Sequence, residues 1–405
     1  MTDNQTIERL HALDAVRAGA LLLGIAFHAS VSFLPGPQIW PVVDVDRSPA
    51  LAVLFFVLHL FRMAAFFFIA GYFGRMALVR RGLGGFVRDR LKRIALPLIM
   101  GWPIMMAAII AVIVWAAVKA NGGVAPPAPP TPALSAQTFP LTHLWFLYVL
   151  LWLYAGALCL TGMFRVIDRS GRLRGIVDRL LVRLERSRLA PVVLAVPIAL
   201  AFLANPEWRL WFGVPTPDTG LVPNGIALTA YGIAFGYGWL LHRNPQLLQA
   251  WASRWRSNLV PAVLLTLLCI AIAGVTPDLG AAPRGTGRTI VYALAYALAI
   301  WCWTIGLVGA ALRFLARPNG ALRYVADASY WLYLIHLPIV MAMQAAFSQL
   351  GWPAPVKFIL ILLITVPLML GSYAVLVRHS WIGAWLNGRR IPRRAGGRTS
   401  PATAA

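Results

Sequence analysis

The chain has 405 residues, of which 60% are hydrophobic and only 12% charged, with a net charge of +23. Soluble domains carry about 25% charged residues, so that class is excluded and the composition is that of an all-α polytopic membrane protein. The basic excess is explained by arginines facing the anionic lipid of an inner membrane surface, and no nucleic-acid partner is expected.

Apolar runs long enough to cross a hydrocarbon layer of about 30 Å lie near residues 15–35, 51–78, 94–118, 143–164, 190–204, 224–241, 258–275, 288–312, 328–348 and 355–377. The first, within "LDAVRAGALLLGIAFHAS", is too long for a signal-peptide core and lacks a small-residue cleavage site, so it is expected to be a retained span. It carries Arg17 and His28, eleven residues apart. That is close to three turns, so both project from one face, about 16 Å apart along the axis. Asp14, three residues before Arg17, can pair with it on that face. Ionisable groups at bilayer depth are costly and usually face a cavity. Arg17 near the helix end can instead snorkel to the interface, and His28 can simply bond a neighbouring helix.

The second run, "LHLFRMAAFFFIAGYFGRM", brings His59 and Arg62 to the depth of His28, which suggests a polar cavity. Seven basic residues follow between Arg75 and Arg93, Arg90 among them. After the third run, residues 121–140 are rich in proline and small residues and predict an irregular outer spacer. His143 stands at the outer end of the fourth run and His336 near the middle of the ninth; each alone reads more readily as structural than as catalytic. Between the fourth and fifth runs, Leu173, Ile176, Leu180 and Leu184 fall at helical spacing among eight arginines, the pattern of an interfacial helix. Trp208 and Trp211, in the outer segment "NPEWRLWFGV", offer either a sugar-stacking platform or, more commonly, an interfacial aromatic belt. Cys159, Cys269 and Cys302 lie in apolar runs and read as small hydrophobes. No repeat or soluble insertion divides the chain. One membrane domain is expected over residues 1–380, and a basic, disordered cytoplasmic tail over 381–405.

Cytoplasmic loops accumulate Lys and Arg. The inward segments hold the basic clusters, whereas the outer ones hold only Arg47, Lys119, Arg209, Arg284, Arg288 and Lys357. This alternation places both termini in the cytoplasm, with about ten transmembrane helices in a multi-pass inner membrane protein. No G-x-S-x-G or H-E-x-x-H occurs, and the histidines lack acidic neighbours, so no metal is expected. Ser32, four residues after His28, has no orienting acid and is a weak nucleophile.

These residues resemble a known family, the acyltransferase-3 membrane acyltransferases, which acylate extracytoplasmic glycans. The likeness rests on "LDAVRAGALLLGIAFH", with its arginine, ten residues and histidine at Arg17 and His28, and on "FFFIAGYF", "RDRLKRIALPLI", "HLWFL" and "YLIHLP". Within the family, "LGIAFH", "FRMAAFFFIAGYF" and "HLWFLYVL" look most like the glucan-biosynthesis branch, succinyltransferases of osmoregulated periplasmic glucans. The resemblance implies a cytoplasmic acyl-CoA donor, no bound cofactor, and a periplasmic glucan or other envelope polysaccharide as acceptor. On that basis Arg17, Arg90 and Arg93 are expected to hold the donor phosphates, with the pantetheine arm running beside the first helix. His28 is then the general base or the site of a transient acyl group, Arg62 the oxyanion partner, and His59 an orienting group. A transporter or flippase also wants a polar interior, but paired broken helices of the usual kind are not evident. A non-catalytic scaffold of a glycan assembly would leave His28 dispensable.

Overall fold

The computed structural model describes residues 3–127 and 133–387. Among these the chain is helical, in the order α1 (Asp3–Ser30), α2 (Pro49–Arg90), a π-helical segment (Leu91–Ala95), α3 (Leu96–Ala120), α4 (Trp145–Ile167), α5 (Arg172–Ser187), α6 (Ala190–Ala204), α7 (Gly225–Leu241), α8 (Leu248–Ser253), α9 (Trp255–Ala273), α10 (Gly287–Phe314), α11 (Gly320–Phe347), α12 (Ala354–Ser372) and α13 (Trp381–Asn387). Each of the ten apolar runs falls on a helix. Polar residues set several starts: the side chains of Ser48, Asn224, Thr286 and Asn319 accept the backbone N–H three residues on, closing the first turns of α2, α7, α10 and α11.

Seven helices among the described residues are long and apolar enough to cross a membrane, or eight if the bent pair α5–α6 is one span, and the shorter apolar α7 adds to them. One of the seven is the continuous stretch Pro49–Ala120 of 72 residues. Fully straight it would reach roughly 108 Å at 1.5 Å per residue, far beyond a bilayer. Its helix is interrupted at Gly82, whose φ of 68° and ψ of 177° only glycine adopts without strain.

The motif glycine of "FFFIAGYF" has a packing reason. A Cβ on Gly71 would lie 1.9 Å from Phe235 O, and one on Gly238 would lie 2.0 Å from Phe68 O, so α2 and α7 touch backbone to backbone. Small residues at such crossings are how helices approach closely in lipid.

The helix α5 leaves Leu173, Ile176 and Leu180 exposed, packs Leu184 against the bundle, and turns by 106° into α6. Its other face is latched to the bundle: Arg243 donates to both Asp178 oxygens at 2.6 and 2.5 Å, and buried Glu185 accepts from Trp251 Nε1 at 2.9 Å and from the Tyr237 hydroxyl.

Three of the six cations expected on the outer side are held in structural bonds. Lys119 Nζ donates to Ala345 O and Ala346 O at 3.0 and 2.5 Å, satisfying carbonyls at the end of α11. Arg47 takes Leu34 O at 2.8 Å, and Lys357, fully buried, pairs with Asp44. Burial pushes the Asp44 carboxyl above its ordinary range, against the Lys357 ammonium and the Asp46 N–H, which hold it down.

Residues 136–139 of the segment expected to be an irregular outer spacer pair with the loop before α7: Gly220 N bonds Phe139 O at 2.9 Å and Leu221 N bonds Ala136 O at 2.7 Å. Residues 128–132 lie outside the described residues. The tail expected to be disordered from 381 begins with α13, where Trp385 Nε1 donates to Lys92 O at 2.8 Å. The rest of that tail, 388–405, is likewise outside the described residues.

Candidate active site

A cavity of about 510 Å³ runs through the bundle between α1, α2, α4 and α11. Of the nine residues singled out above, eight line it: Asp14, Arg17, His28, Arg62, Arg90, Arg93, His143 and His336. The helical periodicity of α1 explains why its three members face one way. Arg17 and His28 mark the two ends, and Leu21 and Gly24 lie between them on the same face.

At one end Arg17 is held by Asp14 at 3.2 Å and donates to Ala326 O at 3.0 Å. Arg90 ends α2, and Arg93 lies in the π-helical segment that follows it. Asp89, the one acid within that basic run, organises them: it pairs with Arg93 at 3.1 Å, with Arg90 at 3.6 Å, and with Arg81. Arg90 also lies 4.8 Å over the Tyr154 ring. Pro97 has no N–H to offer the carbonyls one helical turn back. Side chains take them instead: Tyr330 donates to Arg93 O and Trp385 to Lys92 O. The helix entering this end from the tail adds Leu386 to the cavity wall.

At the other end His28, His336 and His143 form a chain of rings, with centroids 5.1 Å apart for the first pair and 5.2 Å for the second. Their bonding differs. His336 Nδ1–H donates to Tyr333 O at 2.7 Å, leaving Nε2 as the lone-pair nitrogen of the neutral ring. His143 Nε2–H donates to Leu334 O at 2.9 Å. That carbonyl is the one left without an amide partner by Pro338, four residues on, so the histidine completes the broken helix. The Tyr333 hydroxyl returns a bond to His143 O at 2.7 Å. His28 is different: its Nδ1 is buried and has no partner, and no carboxylate orients the ring.

Arg62 lies one turn below. A Cβ on Gly24 would sit 3.9 Å from its Cδ and Nη1, and its guanidinium stacks 4.0 Å over Phe27. Its Nη1 is buried without a partner. An unpaired guanidinium nitrogen in a dry site is a donor waiting for an anion or a developing oxyanion.

The cavity is open at one end. Side-chain exposure is 40% at Asp14, 36% at Arg17, 28% at Arg93 and 20% at Arg90, whereas Arg62, His143 and His336 are exposed by 6, 5 and 4%. The arginine side is thus the more exposed end of the cavity and the histidine side the more enclosed one, with His28 itself of intermediate exposure.

His59 is not brought to the cavity. Its Nε2–H is shared between Phe212 O and Val214 O at 2.8 and 3.0 Å, and its ring stacks with Phe27 and Phe55. It fastens the loop 205–224 to α2. Trp208 and Trp211, exposed by only 3 and 2%, stack on Phe202 and Phe55, so no sugar reaches their faces and the platform reading is withdrawn. Ser32 is buried with its Oγ unpartnered and does not line the cavity. Among the described residues no group of three or more His, Cys, Asp or Glu is arranged to hold a metal ion.

Sequence reasoning missed Asp89, Tyr330, Leu386 and Gln344. Gln344, buried in α11, donates from Nε2 to His28 O at 2.7 Å. The signal for Asp89 was present, a lone acid among seven bases. Gln344 stood as the one carboxamide of its apolar run.

Comparison with known proteins agrees with this geometry. A family model described as an acyltransferase domain matches residues 10–374, nearly the whole described chain. Glucans biosynthesis protein C of Escherichia coli strain SMS-3-5 / SECEC is 35% identical over 98 residues, which are 24% of this chain and 25% of that protein. The protein of the same name from Escherichia coli strain K12 is 34% identical over 98 residues, with the same shares covered. The chain thus matches about a quarter of the length of these curated relatives. No solved structure matches it.

Proposed function

Because the chain belongs to the acyltransferase-3 family and is a membrane acyltransferase, we propose that it moves an acyl group, succinyl by preference, from cytoplasmic acyl-CoA to a hydroxyl of a periplasmic glucan or related envelope glycan. Ten passes with both termini in the cytoplasm of an inner membrane protein accompany this reading, with one membrane domain over 1–380 and a basic tail after it. The observation that carries it is the single cavity that joins an open arginine end to a closed histidine end.

Arg17, Arg90 and Arg93 bind the donor phosphates, for which guanidinium forks are suited. The pantetheine arm then passes Leu21, Met63, Phe66 and Ile69 and brings the thioester beneath His28. His28 takes the proton of the acceptor hydroxyl, and the oxygen adds to the thioester carbonyl. Arg62 Nη1 stabilises the tetrahedral oxyanion. The C–S bond then breaks, and the thiolate receives the proton held by His28. His336, whose ring lies 5.1 Å from that of His28, supports the base, and His143 acts by holding the Pro338 break in α11. His59 serves as a positioning residue for the outer loop.

A second acyl group has one observation in its favour. A succinyl carboxylate also needs a cation, and Arg62 is the only cation among the cavity residues at the histidine end. An acetyl donor leaves Arg62 to the oxyanion alone. The relatives' name, glucans biosynthesis, supports the glucan acceptor. The test is to incubate purified protein with succinyl-CoA or acetyl-CoA and periplasmic glucan, following free thiol and glucan mass together. Thiol release with an ester on the glucan supports the reading; neither donor giving an ester on any envelope glycan would overturn it, and export of unmodified glycan would favour a transporter.

A further inference from the structure

Over the histidine end, residues 34–48 form a loop that the transfer chemistry does not use. It is tied down by the buried Asp44–Lys357 pair and by Val45 N bonding Ser348 O at 3.1 Å. Its Val42 drops into an apolar cluster with Ile109, Ala116, Leu337, Met341 and Ala345, which seats the loop on α3 and α11. One of its side chains faces the site. The Trp40 ring lies 6.0 Å from the His28 ring, and its Nε1 donates to Gln344 Oε1 at 3.0 Å. Gln344 is 1% exposed, and its Nε2 donates to His28 O and Ala29 O at 2.7 and 3.3 Å. A carboxamide buried among apolar residues is expensive unless both its ends are bonded. Here one end holds the backbone of His28 and the other holds an indole above it.

We propose that Trp40 and Gln344 form the acceptor-side closure of the cavity: the indole seals the histidine end against water, and a hydroxyl-bearing acceptor reaches His28 by displacing it. This rests on the acyl-transfer reading. A thioester beside a base is open to the wrong nucleophile. Water loses a proton to His28, its oxygen adds to the carbonyl carbon, the C–S bond breaks and the thiolate takes the proton, giving a free acid and free thiol. Excluding water until the acceptor arrives suppresses that loss. His336 and His143, beside His28, are exposed by only 4 and 5%, while His28 itself keeps intermediate exposure under the indole.

The test has two readouts, one independent of chemistry. In a variant lacking Cys159, Cys269 and Cys302 and carrying His28→Cys, labelling by a membrane-impermeant thiol reagent from outside measures how often the closure opens. Gln344→Leu removes one neutral hydrogen bond to the indole, so labelling should rise about fivefold; Trp40→Phe should match it, and Trp40→Ala should exceed about tenfold. With His28 intact, Trp40→Ala and Gln344→Leu should raise acceptor-independent thiol release from acyl-CoA while leaving the donor KM unchanged. Equal labelling in all the variants would overturn the closure, and faster labelling without added hydrolysis would overturn its role against water. Faster labelling in a protein that never releases thiol with any acceptor would instead overturn the acyl-transfer reading. Gln344→Leu and Trp40→Phe keep the test valid if Trp40→Ala fails to fold.

Discussion

The bond from His143 to Leu334 O separates a structural from a catalytic histidine, and its energetics can be worked from the break in α11. Pro338 offers no N–H, so the Leu334 carbonyl depends on His143 Nε2, 2.9 Å away and buried. His143→Phe keeps a ring and removes the donor. An unsatisfied buried carbonyl costs about 1–3 kcal/mol, while hydrogen bonds within membrane bundles average about 0.6 kcal/mol. We expect a loss of about 1–2 kcal/mol. Pro338→Ala returns an amide to the same carbonyl, so in that background His143→Phe should cost under about 0.5 kcal/mol, a coupling of about 1 kcal/mol, within the range seen for residues in contact. The assay is unfolding of the four proteins in detergent, with thiol release measured on each. Transfer activity lost in His143→Phe should return in the double variant. Additive stabilities, with activity lost whether or not Pro338 is present, would refute the structural role and place His143 on the substrate.

Three further outcomes follow from the geometry. His28→Ala should abolish acyl transfer in a folded protein, and Arg17→Ala should raise the donor KM about tenfold or more, since a charge-assisted bond is worth about 1.5–3 kcal/mol; retained transfer in His28→Ala would exclude both the base and an acyl-histidine. Single cysteines at Leu134 and Gly171 in a cysteine-free variant should label from the outside and the inside respectively, and reversed labelling would invert the proposed orientation. Lys357→Met leaves a buried carboxylate unpaired and should cost roughly 3 kcal/mol at neutral pH. Burial already raises the folded Asp44 pKa above its unfolded value. The protonated form is therefore the one the fold prefers, and the penalty should shrink as pH falls through that raised pKa. A penalty independent of pH would show that Asp44 is not the group left bare.

The sequence spoke most clearly where physics made exceptions costly. Arg17, His28, Arg62, His143 and His336 stand out because an ionisable group inside an apolar run needs a cavity or a partner, and all five line one cavity. His59 obeyed the same rule with the other outcome, since its partners proved to be two loop carbonyls. Helical periodicity shows which face a residue occupies but not which loop folds over it, so Trp208 and Trp211 looked available while they were enclosed, and Trp40, whose ring lies 6.0 Å from that of His28, was not singled out at all. Gln344 carries no charge and so escaped a search built on ionisable groups. The tail was misread for a related reason: the basic residues from Arg389 onward set the reading for all of 381–405, whereas 381–387 carries no charge and places Trp385 on the Lys92 carbonyl and Leu386 on the cavity wall.

That turn, Leu91–Ala95, has a consequence for heredity. A π-helical segment holds one residue beyond what α geometry would accommodate, so the stretch behaves as a single-residue insertion locked inside a helix. Deleting any one of its five residues would let the helix relax to α winding without breaking the chain. Because the bulge absorbs the extra residue, the helices before and after it would keep their phase, and the change would fall on the segment itself. Side chains inside it, Arg93 among them, would shift by one position, and the carbonyls that Tyr330 and Trp385 meet there would be reordered. A one-residue gap in this segment when relatives are aligned therefore marks the gain or loss of the bulge at the donor end, not a repacking of the rest of the bundle.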